Sequence, residues 1–107
     1  MRLEAGKFDR KVVFQSITET PDSGSGEIAP TWSTYKTTWA QYLPMKENER
    51  FAAGRELGTF VADFIVRYFS ALSEKDRIQF DGRNWDILGF AEIGRRRAWR
   101  IRAEVKR

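Results

Sequence analysis

The closing stretch of the chain alternates with almost no error: Trp99, Ile101, Ala103 and Val105 fall on one side of an extended backbone, and Arg100, Arg102, Glu104 and Lys106 on the other. Successive side chains of an extended chain point to opposite faces, so this pattern specifies an amphipathic β-strand. The seven basic residues from Arg95 onward resemble a nucleic-acid arm in composition. The alternation makes them mostly the solvent side of a folded sheet, and function is therefore sought in architecture before charge.

The residues upstream extend the β pattern. Residues 77–80 and 85–91 read as strands joined by Asp81-Gly82-Arg83-Asn84, and Asp-Gly between alternating runs signals a hairpin, since glycine takes the positive φ of a primed turn. A second hairpin turns at Gly94. Gly89, in mid-strand, suggests a bulge or tight bend of the kind that curls a small sheet into a barrel. Residues 59–69 carry the greatest hydrophobic weight, with Phe60, Ala62, Phe64, Val66 and Tyr68 on an apolar face opposite Val61, Asp63, Ile65 and Arg67. Residues 11–17 and 31–43 complete the strands. The second of these contains Trp32, Tyr35, Trp39 and Tyr42 and is stopped by Pro44, which cannot continue a ladder.

Two segments break the pattern. Residues 19–29 hold Pro21, Asp22, Ser23, Gly24, Ser25 and Gly26 and read as a long flexible surface loop. Residues 46–57, rich in charged unbranched side chains and alanine, read as a short helix with Met45, Phe51, Ala52, Ala53 and Leu57 on its apolar side. The expectation is one domain over residues 1–107, mainly β: a small antiparallel β-barrel or sandwich with one short inserted helix and a long flexible loop. A sheet this small has open edges that seek partners.

Composition narrows the chemistry. The chain has no cysteine and no histidine, which removes disulfides, His/Cys zinc sites and the Ser-His-Asp and Cys-His nucleophile systems. A carboxylate enzyme would remain, but no constellation supports one. Asp76, Asp81 and Asp86 are near in sequence, yet Asp81 is accounted for by its turn and Asp86 by strand alternation. No run of about 20 apolar residues is present for a membrane helix, and the N-terminal residues lack the apolar core of a secretion signal. With 19 basic and 15 acidic residues and a net charge of +4, acidic partners are open to it. A nucleic-acid-binding barrel would need exposed aromatics as stacking platforms. By alternation Phe60, Phe64 and Trp99 point inward, leaving Trp32 and Tyr35 for that use.

A resemblance is spread over nearly the whole chain. It begins with Gly6, Phe8-Asp9-Arg10, Val13 and Gln15, and continues through Gly26, Trp32, Trp39-Ala40 and Pro44. It goes on with Glu49, Ala53 and Arg67-Tyr68, then Asp76-Arg77-Ile78, Asp81-Gly82-Arg83, Trp85 and Ile87. In this order the chain resembles the phage head-tail joining family, the small head-closure, stopper or head-tail connector proteins of long-tailed phages with non-contractile tails.

The resemblance implies a β-barrel protomer of the virion neck, assembled in the host cytoplasm into a homo-oligomeric ring, twelve-fold when complete. Such a ring sits beneath the portal and adaptor rings, closes the channel of packaged DNA and docks the tail or its terminator protein. It implies no enzyme activity, no cofactor and no membrane. A neighbouring neck or tail-completion protein is the alternative within that group. On this view Asp22, Ser23, Gly24, Ser25, Gly26 and Glu27 would reach into the channel or onto a neighbour, their acidic members repelling phosphate. Arg67, Tyr68, Asp81 and Arg83 would meet a neighbouring subunit, an arginine fork pairing with a carboxylate; the plain alternative is a hairpin turn with a snorkelling arginine and a core-edge tyrosine. Arg95, Arg96 and Arg97 would contact phosphate, repeated around a ring as a basic belt, or simply form a solvated turn.

Overall fold

The computed structural model describes residues 5–21, 28–46 and 59–106. A 3-10 turn at Ala5–Lys7 leads into β1 (Arg10–Pro21), followed by β2 (Ile28–Pro44), β3 (Thr59–Arg67), β4 (Arg77–Phe80), β5 (Arg83–Ile93) and β6 (Ala98–Lys106). All pairings are antiparallel, in the order β1-β2-β3-β6-β5-β4, and β4 returns to β1 to close a barrel. The mainly β, antiparallel expectation holds. Closure gives every barrel strand two neighbours, yet parts of β1, β2 and β5 keep an edge without a ladder partner among the described residues, as the expectation of open edges requires.

Some boundaries differ from the sequence reading. From residue 47 the helix expected over 46–57 lies outside the described residues, and among those described the 3-10 turn is the only helical element. The loop expected over 19–29 shrinks, since β1 continues to Pro21 and β2 begins at Ile28, with Glu19, Thr20 and Pro21 paired to Pro30, Ala29 and Ile28. Mutual pairing supplies order that composition alone does not suggest. Residues 22–27 lie outside the described set.

The interior is built from alternate residues of every strand. Val12 and Phe14, Ala62, Phe64 and Val66, Ile78, Trp85 and Ile87, and Ile101, Ala103 and Val105 form one buried cluster. Tyr42, Phe64, Phe80 and Trp85 meet there in tilted and edge-on contacts, with centroids 4.9–6.2 Å apart, the arrangement that the charge distribution of aromatic rings favours. The terminal alternation holds, with Ile101, Ala103 and Val105 buried and Arg100 and Arg102 outside. Trp99 lies half-buried at the barrel rim, stacked on Tyr68 at 5.0 Å. The bulge suggested by Gly89 is present: Leu88 is the extra residue between the pairs Ile87–Ala103 and Gly89–Arg102. At the β4–β5 turn Asp81 and Gly82 both take positive φ, 55° and 73°, as a primed hairpin turn requires.

β3 departs from simple alternation. Its second face is also closed to solvent, with Val61, Asp63 and Ile65 at most 5% exposed. Asp63 is accommodated there by two arginines two residues apart on the neighbouring strand. Arg100 donates to Oδ2 from Nε at 2.8 Å, with Nη2 at 2.7 Å, and Arg102 Nε donates to Oδ1 at 2.9 Å. Burial pushes this carboxyl up, but the hydrogen bonds and charges of Arg102 and Arg100 more than reverse that and hold it below the usual carboxylate value.

The end of the barrel where β1 leaves and β3 finishes is crossed by residues 68–76, running from β3 to β4 on the opposite wall. Phe69 and Leu72 pack from this crossover onto the core, and Trp99 Nε1 donates to the Phe69 carbonyl at 2.8 Å. The Tyr35 hydroxyl donates to Asp76 Oδ2, which also accepts the Ser73 amide at 3.0 Å. Burial, then the Asp76 hydrogen bond and charge, push the Tyr35 hydroxyl up, so it stays a donor at neutral pH. Tyr35 is therefore committed to the barrel and is not the free stacking platform expected of it.

Phe64→Ala is expected to cost about 3 to 5 kcal/mol in urea unfolding, because three packed rings, Tyr42, Phe80 and Trp85, lose their common neighbour. Changing Arg100 and Arg102 together to Gln strands a nearly buried carboxylate and is expected to cost about 3 kcal/mol. Asp63→Asn costs less, since the two guanidinium groups are about half exposed and return to water. The Asp63 contribution is complete above about pH 4 and is lost as pH falls through the lower folded-state value. Unfolding midpoints taken from neutral pH down to about pH 2 should fall more steeply in the wild type than in Asp63→Asn; parallel curves would remove Asp63 as the titrating group.

Candidate functional site

The feature that sets this barrel apart is a two-stranded ribbon. β4 reaches β1 only at Val13, Phe14 and Gln15, and β3 reaches β2 only from Ala40 onward. Beyond those points β1 and β2 pair only with each other among the described residues. The paired stretch from Ser16 and Ser33 to Pro21 and Ile28 runs about 20 Å past the seam. The radius of gyration, 15.4 Å, exceeds the ~13 Å of a compact chain of this length, and the longest extent is 51 Å. Both outer edges of the ribbon carry backbone groups with no ladder partner among the described residues.

A bulge marks where the ribbon leaves the barrel. Phe14 pairs with Lys36 and Gln15 with Thr34, so Tyr35 is an extra residue on β2. Such a bulge bends the strand and re-aims one side chain; here it turns Tyr35 toward Phe14 and Phe69, with centroids at 6.4 and 6.2 Å. Past the bulge, one face of the ribbon carries Gln15, Ile17, Trp32 and Thr34, and the other the hydroxyl residues Ser16, Thr18, Thr31 and Ser33.

Arg77 of β4 fastens the first face to the barrel. Its guanidinium lies 4.1 Å from the Trp32 ring centroid, its Nε donates to Gln15 Oε1 at 2.7 Å, and Gln15 Nε2 donates to Thr34 Oγ1 at 3.1 Å. A cation over an indole ring contributes about 1 kcal/mol at a partly exposed site. Trp32, expected to be free, is thus covered on one side. Trp39, on β2 at the root of the ribbon opposite Lys11, is 56% exposed. An outward tryptophan in a strand of this aromatic weight gives no sequence signal, since period two does not say which face is wet.

The site residues expected from the sequence divide between the two ends of the barrel. Arg67, Tyr68, Arg95, Arg96 and Arg97 gather at the ribbon end, where the Tyr68 amide donates to the Arg97 carbonyl at 3.2 Å. The Arg67 guanidinium sits 5.5 Å from the Phe8 ring centroid. Arg95, Arg96 and Arg97 are all exposed in the β5–β6 turn, with Arg96 at φ 54°. Asp81, in the β4–β5 turn, and Arg83, at the start of β5, lie at the far end and do not join that group. Asp22, Ser23, Gly24, Ser25, Gly26 and Glu27 lie outside the described residues. Asp76, Asp81 and Asp86 are dispersed: one bonded to Tyr35, one in a turn, one exposed on β5. Among the described residues no three His, Cys, Asp or Glu side chains come together to hold a metal. No helix there is long and apolar enough to cross a membrane.

Comparison with known proteins adds to this geometry. A family model described as phage head completion protein matches residues 3–106. The fold is similar to the solution structure of a protein from Shigella flexneri 2a, at 24% identity and TM-score 0.72, over 94% of this chain and 95% of that one. It is also similar to a chain of the virion of a native gene transfer agent particle, at 20% identity and TM-score 0.68, over 92% and 94% of the two chains. Among curated proteins none matches.

Arg77 links the ribbon to β4 through Trp32 and Gln15, so removing it tests whether ribbon and barrel open together. Arg77→Ala is expected to weaken the docking of the ribbon locally by about 1 kcal/mol, with the global unfolding midpoint nearly unchanged. It should raise hydrogen exchange in residues 16–21 and 28–34 while β3 and β6 keep their protection. An equal rise in both would make ribbon and barrel one cooperative unit.

Proposed function

The chain belongs to the phage head completion protein family, and from that premise we propose that it is a ring-forming neck subunit that closes the DNA-filled head and docks the tail. As a member of this family it is a structural protein of the virion. In our reading, about twelve copies sit beneath the portal and adaptor rings, and a tail or tail-terminator protein binds the opposite side. The role is structural, with no reaction and no cofactor.

The observation that carries the ring reading is a closed barrel extended by a ribbon whose two edges have no ladder partner among the described residues. An unpaired strand edge is a template for another chain; the ribbon offers two, and β5 beyond Asp86 has a further one that β4 does not reach. Head-to-tail contacts that close on themselves generate rings. The ribbon edges and Trp39 at its root are the surface we assign to the neighbouring copy, an exposed tryptophan being a residue type enriched at interface centres. Arg67 and Tyr68 lie at the same end and join that contact. The likeness in fold to a chain of a gene transfer agent virion is compatible with this placement.

Arg95, Arg96 and Arg97 repeat around such a ring as a basic belt toward packaged DNA. Binding of that kind weakens steeply with salt. Residues 22–27, which join β1 to β2, are the segment offered to the channel or to a neighbour. Asp81 and Arg83, at the far end, face a different partner from Arg67 and Tyr68. A free-standing nucleic-acid module is less well supported, because Tyr35 is bonded to Asp76 and Trp32 is covered by Arg77.

Deleting the gene from the phage or prophage that carries it, then imaging the lysate by negative-stain electron microscopy, tests the role. Heads and tails should accumulate unjoined, with heads emptied of DNA. Joined, filled particles would exclude it.

A further inference from the structure

The far end of the barrel holds an open cleft of about 440 Å³. Tyr42, Phe80 and Trp85 line its apolar floor, with the Tyr42 and Phe80 centroids 4.9 Å apart and both rings 6.2 Å from Trp85. The rim is basic. Arg10 and Lys11 of β1 stand on one side and Arg83 of β5 on the other, all exposed, against the single lining carboxylate of Asp81. The contact between Arg10 and Asp9 is long, 3.9 Å, with both side chains more than half exposed, so it holds the guanidinium only weakly. Asp81 and Arg10 act in opposite senses on the Tyr42 hydroxyl, which is raised chiefly by burial; both charges therefore sit close to the floor.

An aromatic floor under a cationic rim selects a ligand that is apolar at its centre and anionic at its edges. We propose that this cleft docks an acidic peptide segment of a partner protein, seating one apolar side chain on Tyr42, Phe80 and Trp85 while flanking carboxylates pair with Arg10, Lys11 and Arg83. A nucleic-acid strand fits less well. The floor rings are tilted and edge-on to one another, so no flat face is offered to a base, and a phosphate backbone has no apolar group for the hollow. The cleft lies away from the ribbon tip, although Lys11 on its rim is the cross-strand neighbour of Trp39; the test therefore changes Arg10 and Arg83 and leaves Lys11 in place.

The test is selection of random short peptides displayed on yeast against the full chain, followed by titration of the enriched peptides. Enriched sequences should place two or more Asp or Glu around an aromatic or aliphatic residue and should shift the Trp85 indole and Arg83 amide resonances. The double variant R10S/R83S, changed only at exposed positions and checked for an unaltered unfolding midpoint, should bind them about tenfold or more weakly, the loss expected for two charge-assisted hydrogen bonds. An enriched pool without acidic bias, equal binding to the double variant, or shifts confined to other surfaces would overturn the proposal. Stronger displacement at the same resonances by an oligothymidylate than by the acidic peptides would reassign the cleft to nucleic acid.

Discussion

The seam between β1 and β4 holds the barrel shut over three residue pairs, Val13–Gln79, Phe14–Ile78 and Gln15–Arg77, and the positions of the other parts follow from how short it is. Because β4 has only four residues, β1 outruns it and must either fray or pair with β2 alone. It pairs, and the ribbon is the result. Phe14, fully buried at the centre of the seam, ties closure to the core, and Gln15, one residue on, ties it to the ribbon through Arg77. The same stretch of backbone thus ends one structure and begins the other.

The two ends of the barrel are finished differently. At the ribbon end the crossover carries Phe69 and Leu72 onto the core and is pinned by Trp99 and Tyr35. The far end remains open over an aromatic floor. Charge is apportioned along with this polarity. Arg100 and Arg102 are occupied by Asp63, whereas Arg95, Arg96 and Arg97 stay exposed in their turn. A count of basic residues would weigh all five alike, yet only the second group is open to a polyanion.

Much of this was legible in the sequence where one physical signal dominated. Strict alternation placed β6 and its inward face, Asp81-Gly82 placed a primed hairpin, and Gly89 placed a bulge. The readings failed where a neighbouring strand supplied the deciding term. Residues 19–21 and 28–29 have loop-like composition but are ordered by pairing with each other. Alternation sets Val61, Asp63 and Ile65 opposite the apolar face of β3 without showing that this face is covered, yet all three are buried, and Asp63 is accommodated there only because β6 presents two arginines in register. Tyr35 looked free because a bulge that redirects one residue leaves no trace in period two. Within the candidate site, the positions of Arg67, Tyr68 and the arginine triplet at one end were implicit in the strand order. The isolation of Asp81 and Arg83 at the other end emerges only when strand directions are followed.

The bulge at Tyr35 also governs how such a chain can vary. Beyond it and the adjoining Gln15–Arg77 pair, β1 and β2 share no ladder with the rest of the barrel among the described residues, so the reach of the ribbon is uncoupled from the core. Length can be gained or lost there without disturbing the buried residues. Parity is the remaining constraint, since one residue added to either strand exchanges its two faces and would carry Trp32 away from Arg77. Changes made in pairs on both strands preserve the faces, which makes the ribbon an arm adjustable in steps while the barrel keeps its size.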